Sequence, residues 1–342
     1  MSISVFKPFI NRKDMNSVLS CLVSEKLANG SIAKQFSADL SRHLGTDEGF
    51  LLKEYRRAIE IVFKSSVIPE KDLVLISPLS SVYYKQAAED AGLKLLFIDI
   101  DPDTANISFE KLSEAVEENR SRIHSVVIDS PLGFVPEIEK ISELEINIIE
   151  DISNSFGAQA GERKLGSFGN FTIMNMDPEK IITTGSGTFI AGKSRKEKDL
   201  LRGIILPYGN DILLPDLNAA IAVTQLANIE KIINVRAEIA ENYVQAVMKT
   251  KNKTFLQKNE FSNVYCSFAV IAENSVKEIK KYAQKKGVDT AEAFEGSIIK
   301  NITIEDCPEA QKLNMRCLLF PLYPNIGKSN AEKVIKVIST LP

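Results

Sequence analysis

The sequence predicts an α/β protein: a large domain with a mostly parallel central sheet covered by helices on both faces, and a smaller α/β domain at the C-terminal end. Three observations carry this. Short β-branched apolar runs recur at 72–77, 93–100, 124–129 and 146–151, and the stretches between them have helical periodicity. The runs are apolar throughout rather than alternating, as strands buried on both faces are. With 342 residues, 44% of them hydrophobic, the chain is long enough for one large core and a second smaller one.

The elements follow in order. The first 70 residues read as mostly helical, with apolar positions three and four apart in DMNSVLSCLVSEKL (14–27) and EYRRAIEIVFKS (54–65). The four runs then read as strands, separated by the helical segments SSVYYKQAAEDAG and SFEKLSEAVEENRSR. FGNFTIMNM (168–176) and GTFIAG (187–192) add two strands that flank a loop holding Lys180. Thr183, Thr184 and Ser186, with Gly185 and Gly187, read as the turn into the second of these. The expected division is a large domain over 1–205, then a long connecting helix over 216–247 and a small α/β domain, together 206–342. That small domain has strands near 263–271 and 315–320 and helices near 274–287 and 328–339.

Composition excludes several classes of function. A net charge of −3, with both signs mixed along the chain, offers no basic block for a nucleic-acid partner. No apolar run approaches the roughly 20 residues of a membrane helix, so no membrane partner is expected. Cys21, Cys266, Cys307 and Cys317 are scattered, and MSISVFKPFI lacks a basic segment followed by a long apolar core, so a cytoplasmic protein is expected. His43 and His124 lie far apart, which disfavours a His-rich metal site.

Ligands of such sheets gather beyond the carboxyl ends of the strands, and two of those ends carry acids. Asp129 closes one strand; Glu150 and Asp151 close another. Capping of the next turn is the simplest role for such residues. A lysine able to form an imine, an aspartate able to hold a protonated pyridine nitrogen and small residues that admit a planar ring together suit pyridoxal phosphate (PLP). Lys180 and Asp151 are the candidates.

FIDIDPDTANIS (97–108), INIIEDISNSFGAQAGERKLGSFGNF (146–171), DPEKIITTGSGTFIAG (177–192), LNAAIAVTQLANIEKI (217–232) and LLFPLYPNIGKSNAEKVIKVI (318–338) resemble, in order and spacing, the DegT/DnrJ/StrS family of sugar aminotransferases. The resemblance implies the type I fold of PLP-dependent transferases. It also implies homodimers with shared active sites, and transfer of an amino group from a donor such as glutamate to a nucleotide-linked keto sugar. By motif, Lys180 falls on the Schiff-base lysine, Asp151 on the partner of the pyridine nitrogen and Asn154 where a glutamine usually contacts the cofactor.

Departures from the family pattern cluster around the cofactor. Glu54, Tyr55 and Arg56 replace the Ser-Gly-Thr that binds the phosphate, and Arg56 is the candidate to restore positive potential there. Asn175 replaces a phosphate-binding serine, and Ser81 the aromatic residue that stacks on the ring, with Val82 or Tyr83 as substitutes. Tyr83 and Tyr84 read equally as core or interface residues. The crossover segment ends in Leu213 instead of arginine, its apolar residues Ile212, Leu213 and Leu214 suiting a contact surface, and FEGSII replaces a His-Tyr-Pro stretch. These changes imply loosely bound PLP and leave two alternatives to an aminotransferase. One is a non-catalytic binding or scaffold protein with weak or no PLP binding; the other is a PLP enzyme of a different reaction type. Lys180 argues against those dehydratases of the family that replace the lysine.

Overall fold

Asn11 opens the first helix with a capping box, its side chain accepting from the backbone of Lys13 and Asp14 while Asp14 accepts from Asn11 N–H at 2.8 Å. The computed structural model describes residues 2–25, 27–66, 70–256 and 263–342; Lys26, in the first predicted helical run, lies outside them. The chain proceeds through α1 (Arg12–Val23), α2 (Ser31–Leu44), β1 (Phe50–Leu52), α3 (Tyr55–Ser65), β2 (Leu73–Ile76), α4 (Val82–Asp90) and β3 (Lys94–Phe97). There follow α5 (Phe109–Asn119), β4 (Ile123–Asp129), α6 (Ile138–Ser142) and β5 (Ile148–Asp151). A small hairpin, β6 (Gln159–Ala160) and β7 (Arg163–Lys164), precedes β8 (Phe171–Asn175), β9 (Thr188–Gly192) and α7 (Arg195–Ile205).

Among the described residues the main sheet has seven strands in the order β1-β9-β8-β5-β4-β2-β3. From β3 to β8 neighbours run parallel, whereas β9 is antiparallel to both β8 and β1. The strand β1 lies in the region read as helical: three residues are too few to show a period, and their partner Thr188–Ile190 is more than 130 positions away. Alternation along each strand splits the core in two. Val126, Ile128 and Met174 pack with α2, α5 and α6, while Val127, Ile149 and Ile173 pack with α3, α4 and α7. Each such side chain, fully buried, contributes about 1.5–3 kcal/mol.

The predicted long helix is two helices, α8 (Asp216–Leu226) and α9 (Ile229–Val247). At the break Asn228 leaves helical geometry, with φ −119° and ψ 18°, and its side-chain amide donates to the Thr224 carbonyl at 2.7 Å. Asp216 ties α8 to the start of α2, accepting from the N–H groups of Gly30, Ile32 and Ala33 at 2.8, 3.1 and 2.8 Å. The remaining elements are β10 (Lys253–Thr254), β11 (Phe268–Ile271), α10 (Val276–Lys285), β12 (Ala291–Glu292), α11 (Pro308–Arg316), β13 (Cys317–Phe320) and α12 (Lys328–Ile338). Their strands form an antiparallel sheet in the order β10-β11-β13-β12.

Two of the contacts that fasten this layer to the first involve Asp99 and the loop 296–299. Asp99, just past β3, accepts from the N–H groups of Glu309 and Ala310 at the start of α11, at 3.1 and 2.9 Å. The loop 296–299 pairs with the segment before α4 through Val82 N–H to Gly296 O (2.9 Å), Ile298 N–H to Ser80 O (2.9 Å) and Ile299 N–H to Pro78 O (3.0 Å). Among the described residues no helix is long and apolar enough to cross a membrane.

Candidate active site

A cleft of about 680 Å³ opens at the carboxyl ends of β4, β5 and β8, where the second layer meets the first. Asp151, Asn154, Asn175, Lys180 and Ser81 line it, so the structure gathers five of the six predicted site residues. Arg56 does not line it: its guanidinium pairs with Asp90 and, at 3.2 Å, with Glu60 on the outer side of α3. The cation expected to offset Glu54 is therefore directed elsewhere.

Asp151 is held by four donors. Its Oδ2 accepts from the hydroxyl of Tyr84 at 2.7 Å and from that of Tyr55; its Oδ1 accepts from Ser153 N–H at 3.0 Å and from the Ser153 hydroxyl. Ser153 Oγ in turn accepts from Asn175 N–H at 2.8 Å, which locks the end of β5 to the end of β8. Burial and the Asp151 charge hold both tyrosine hydroxyls well above their usual range, so they serve as donors. Asp129 is the register partner of Asp151 on β4 and accepts from Ser80 Oγ at 3.0 Å. Burial, then the neighbouring Asp151 charge, pushes its carboxyl up to about 7.

Lys180 sits on the loop between β8 and β9, in a turn closed by its own N–H to Asp177 O at 3.0 Å. Its Nζ donates to Asn154 Oδ1 at 2.9 Å and lies 3.6 Å from Glu179. Asn154 is fixed from its other side by Nδ2 donating to Pro131 O at 3.3 Å. Asn175, only 5% exposed, donates to Asp177 at 2.8 Å, and its own Oδ1 has no hydrogen-bond partner among the described residues.

The α3 end of the cleft is different in kind. Glu54 caps α3 without a side-chain hydrogen bond, and Tyr55, the next residue, turns its ring into the cleft against the edges of Tyr83 and Tyr84. Ser81 caps α4 and forms an antiparallel bridge with Ser297, so the FEGSII loop covers the strand end where an aromatic residue is missing. Leu213 bridges to Leu52 within the same chain, and Leu214 is 1% exposed; part of the apolar character of this segment is thus spent on its own core. Thr183 and Thr184 bond within the turn, as expected of structural residues.

Acids outnumber bases at the cleft wall. Among the described residues Asp129, Asp151, Asp177, Glu179, Glu292 and Glu295 line it with Lys180 as the one lining cation, and Glu292 is itself paired with Lys280 and Lys300. Tyr55, Tyr84 and Ser153 were not legible as Asp151 ligands, because their convergence is a product of α3, α4 and β5 meeting in space. Asp129 was visible as a strand-end acid, but its pairing with Asp151 depends on strand order.

A parallel sheet with a lysine and an aspartate at neighbouring strand ends is the arrangement of the type I PLP-dependent transferases. The chain belongs to the DegT/DnrJ/EryC1/StrS aminotransferase family, whose model matches residues 8–339. It is 26% identical to the UDP-4-amino-4,6-dideoxy-N-acetyl-beta-L-altrosamine transaminase of Campylobacter jejuni over 273 residues, covering 75% of this chain and 70% of that protein. Its fold matches the aminotransferase TlmJ of Streptoalloteichus hindustanus with a TM-score of 0.90 at 21% identity, covering 98% of each chain. A putative sugar aminotransferase of Streptococcus pneumoniae, solved in its PLP form, matches with a TM-score of 0.86 at 17% identity over 99% of this chain and 98% of that one.

The residues present fit PLP at one end. Lys180 and Asp151 are the pair that an aldehyde and a ring nitrogen require. The α3 end does not fit a phosphate: it presents Glu54 and the Tyr55 ring, and Arg56 is turned away.

Proposed function

We propose that the protein is a PLP-dependent aminotransferase acting on a nucleotide-linked keto sugar, with glutamate as donor, and that it works as a homodimer in the cytoplasm. The observation that carries this reading is the placement of Lys180 and Asp151 on one cleft, with Asn154 holding the lysine amine. The names of the relatives support it, and the carbon that bears the amino group in the Campylobacter enzyme's name points to a 4-keto sugar. PLP, when bound, supplies a ring that accepts electrons released at the substrate carbon.

The protein's residues supply the rest. Asp151 would hold the protonated ring nitrogen, with Tyr84 and Ser153 occupying its remaining acceptor sites. Lys180 would hold the cofactor's aldehyde carbon, and its amine, when free, would take up the proton leaving the substrate carbon. Asn154 fixes the amine through a bond that breaks when the lysine turns to the substrate. With so few phosphate donors, PLP is held loosely and is lost on dialysis.

The test is amino transfer from glutamate to a panel of nucleotide-linked 4-keto sugars in excess PLP, followed by mass spectrometry. Transfer that Lys180→Ala abolishes is expected. A folded, PLP-loaded protein that transfers nothing from any donor would instead favour a non-catalytic binding role.

A further inference from the structure

Asp151 has two oxygens with about four acceptor directions, and the protein itself fills them with Tyr55, Tyr84 and the N–H and hydroxyl of Ser153. A carboxylate so supplied needs no ligand to be stable. A ring nitrogen that came to bond with it would have to displace one of these donors. Ser153 is held in place by Asn175 N–H, and Tyr84 is 0% exposed, with its ring packed on Phe63 at 6.1 Å between centroids. Tyr55 and Ser153 are the donors that border the cleft, and of the two Ser153 is already tied to β8 by Asn175. Tyr55 stands on the first turn of α3, its ring against the edges of Tyr83 and Tyr84 and its hydroxyl on Asp151 at the cleft wall.

We propose that Tyr55 is the residue that sets cofactor affinity: its hydroxyl takes the Asp151 oxygen that a bound ring nitrogen would use, and yields it only when PLP enters. This rests on the reading of the cleft as a PLP site and adds to it a residue that competes with the cofactor. In the free protein the Tyr55 bond neutralises part of the electrostatic cost of a buried carboxylate beside Asp129. The bond that stabilises the empty cleft is the one that opposes loading.

The test needs neither donor nor sugar. PLP affinity is measured by absorbance titration, and borohydride reduction followed by peptide mapping locates the adduct on Lys180. Losing one hydrogen bond to a charged acceptor is expected to make Tyr55→Phe bind PLP about tenfold more tightly than the wild type, whereas Tyr84→Phe, outside the cleft, gives no gain. In the wild type, nitration by tetranitromethane gives a second readout: Tyr55 becomes more reactive on adding PLP, Tyr84 stays protected, and Tyr83, at 43% exposure, reacts throughout. The proposal is overturned if Tyr55→Phe binds PLP no more tightly than the wild type, or if no adduct forms at Lys180 in either protein. Should the variant fail to fold, unchanged Tyr55 nitration in the wild type with saturating PLP overturns it. Tighter PLP binding by Tyr55→Phe without amino transfer supports the role of Tyr55 and defeats only the aminotransferase reading.

Discussion

Glu150 and Asp151 are consecutive acids at the end of one strand, and they do opposite work. Strand alternation sends them to opposite faces of the sheet. Glu150 faces the α2 side, where its Oε1 accepts from the N–H groups of Phe168 and Gly169 at 2.6 and 2.5 Å and its Oε2 from Gly166 N–H at 2.7 Å. Burial raises its carboxyl, and the three backbone donors oppose that rise. Asp151 faces the α3 and α4 side, takes two of its donors from tyrosines and opens onto the cleft. One acid organises the loop into β8; the other is placed where it can meet a ligand. Sequence position does not separate the two roles, but the donors do.

The largest effect should come from breaking the structural half of this pair. Glu150→Ala leaves three buried N–H groups without an acceptor and should cost about 3–5 kcal/mol in urea unfolding, with Glu150→Gln intermediate because one acceptor oxygen survives.

On the cleft side the expected effect is smaller and depends on pH. The Asp129 carboxyl stands at about 7 in the folded protein against an ordinary value of 3.8, so the unfolded chain gives up this proton first. Stability contributed by the neutral form is complete below about pH 4 and is lost as pH rises through 7. Asp129→Asn should therefore stabilise by about 2 kcal/mol at pH 8, a figure discounted for contact with cleft solvent, and by nothing near pH 4. Thermal unfolding at the two pH values checks this; an equal gain at both would show that the charge is not responsible.

The smallest effect sharpens the comparison. Asp151→Asn removes the neighbouring charge, so the pH window over which Asp129 costs stability should move downward, while net stability changes by only about 1 kcal/mol, because the single amide oxygen can keep Ser153 N–H and the Tyr55 and Tyr84 hydroxyls can turn to accept from the amide nitrogen. The same variant should lose the PLP adduct at Lys180, whereas Glu150→Gln, where folded, keeps it.

Much of this architecture can be read from the sequence. Apolar β-branched runs separated by helical periods determine a parallel sheet, because a strand covered on both faces needs apolar residues at every position. The candidate pair Lys180 and Asp151 was likewise legible, since ligand sites of such sheets lie at strand ends and few strand ends carry these residue types. Motif order identified the family, and the departures at Glu54, Asn175 and Leu213 were plain in the residues themselves.

Tertiary structure decided what those departures become. The sequence shows a tyrosine in place of a small residue at position 55, but only the packing of α3 beside β5 brings its hydroxyl to Asp151. Charge balance suggested Arg56 as a replacement cation; a carboxylate on α4, Asp90, claims it instead, because a side chain on a helix surface pairs with whatever acid lies in reach. The break at Asn228 escaped a reading based on period, since one residue out of helical geometry, at φ −119° and ψ 18°, interrupts a helix without altering its apolar spacing. Periodicity is a local property of the chain and can be read locally. The donors around a buried carboxylate come from segments nearly 100 residues apart, and only the folded chain brings them together.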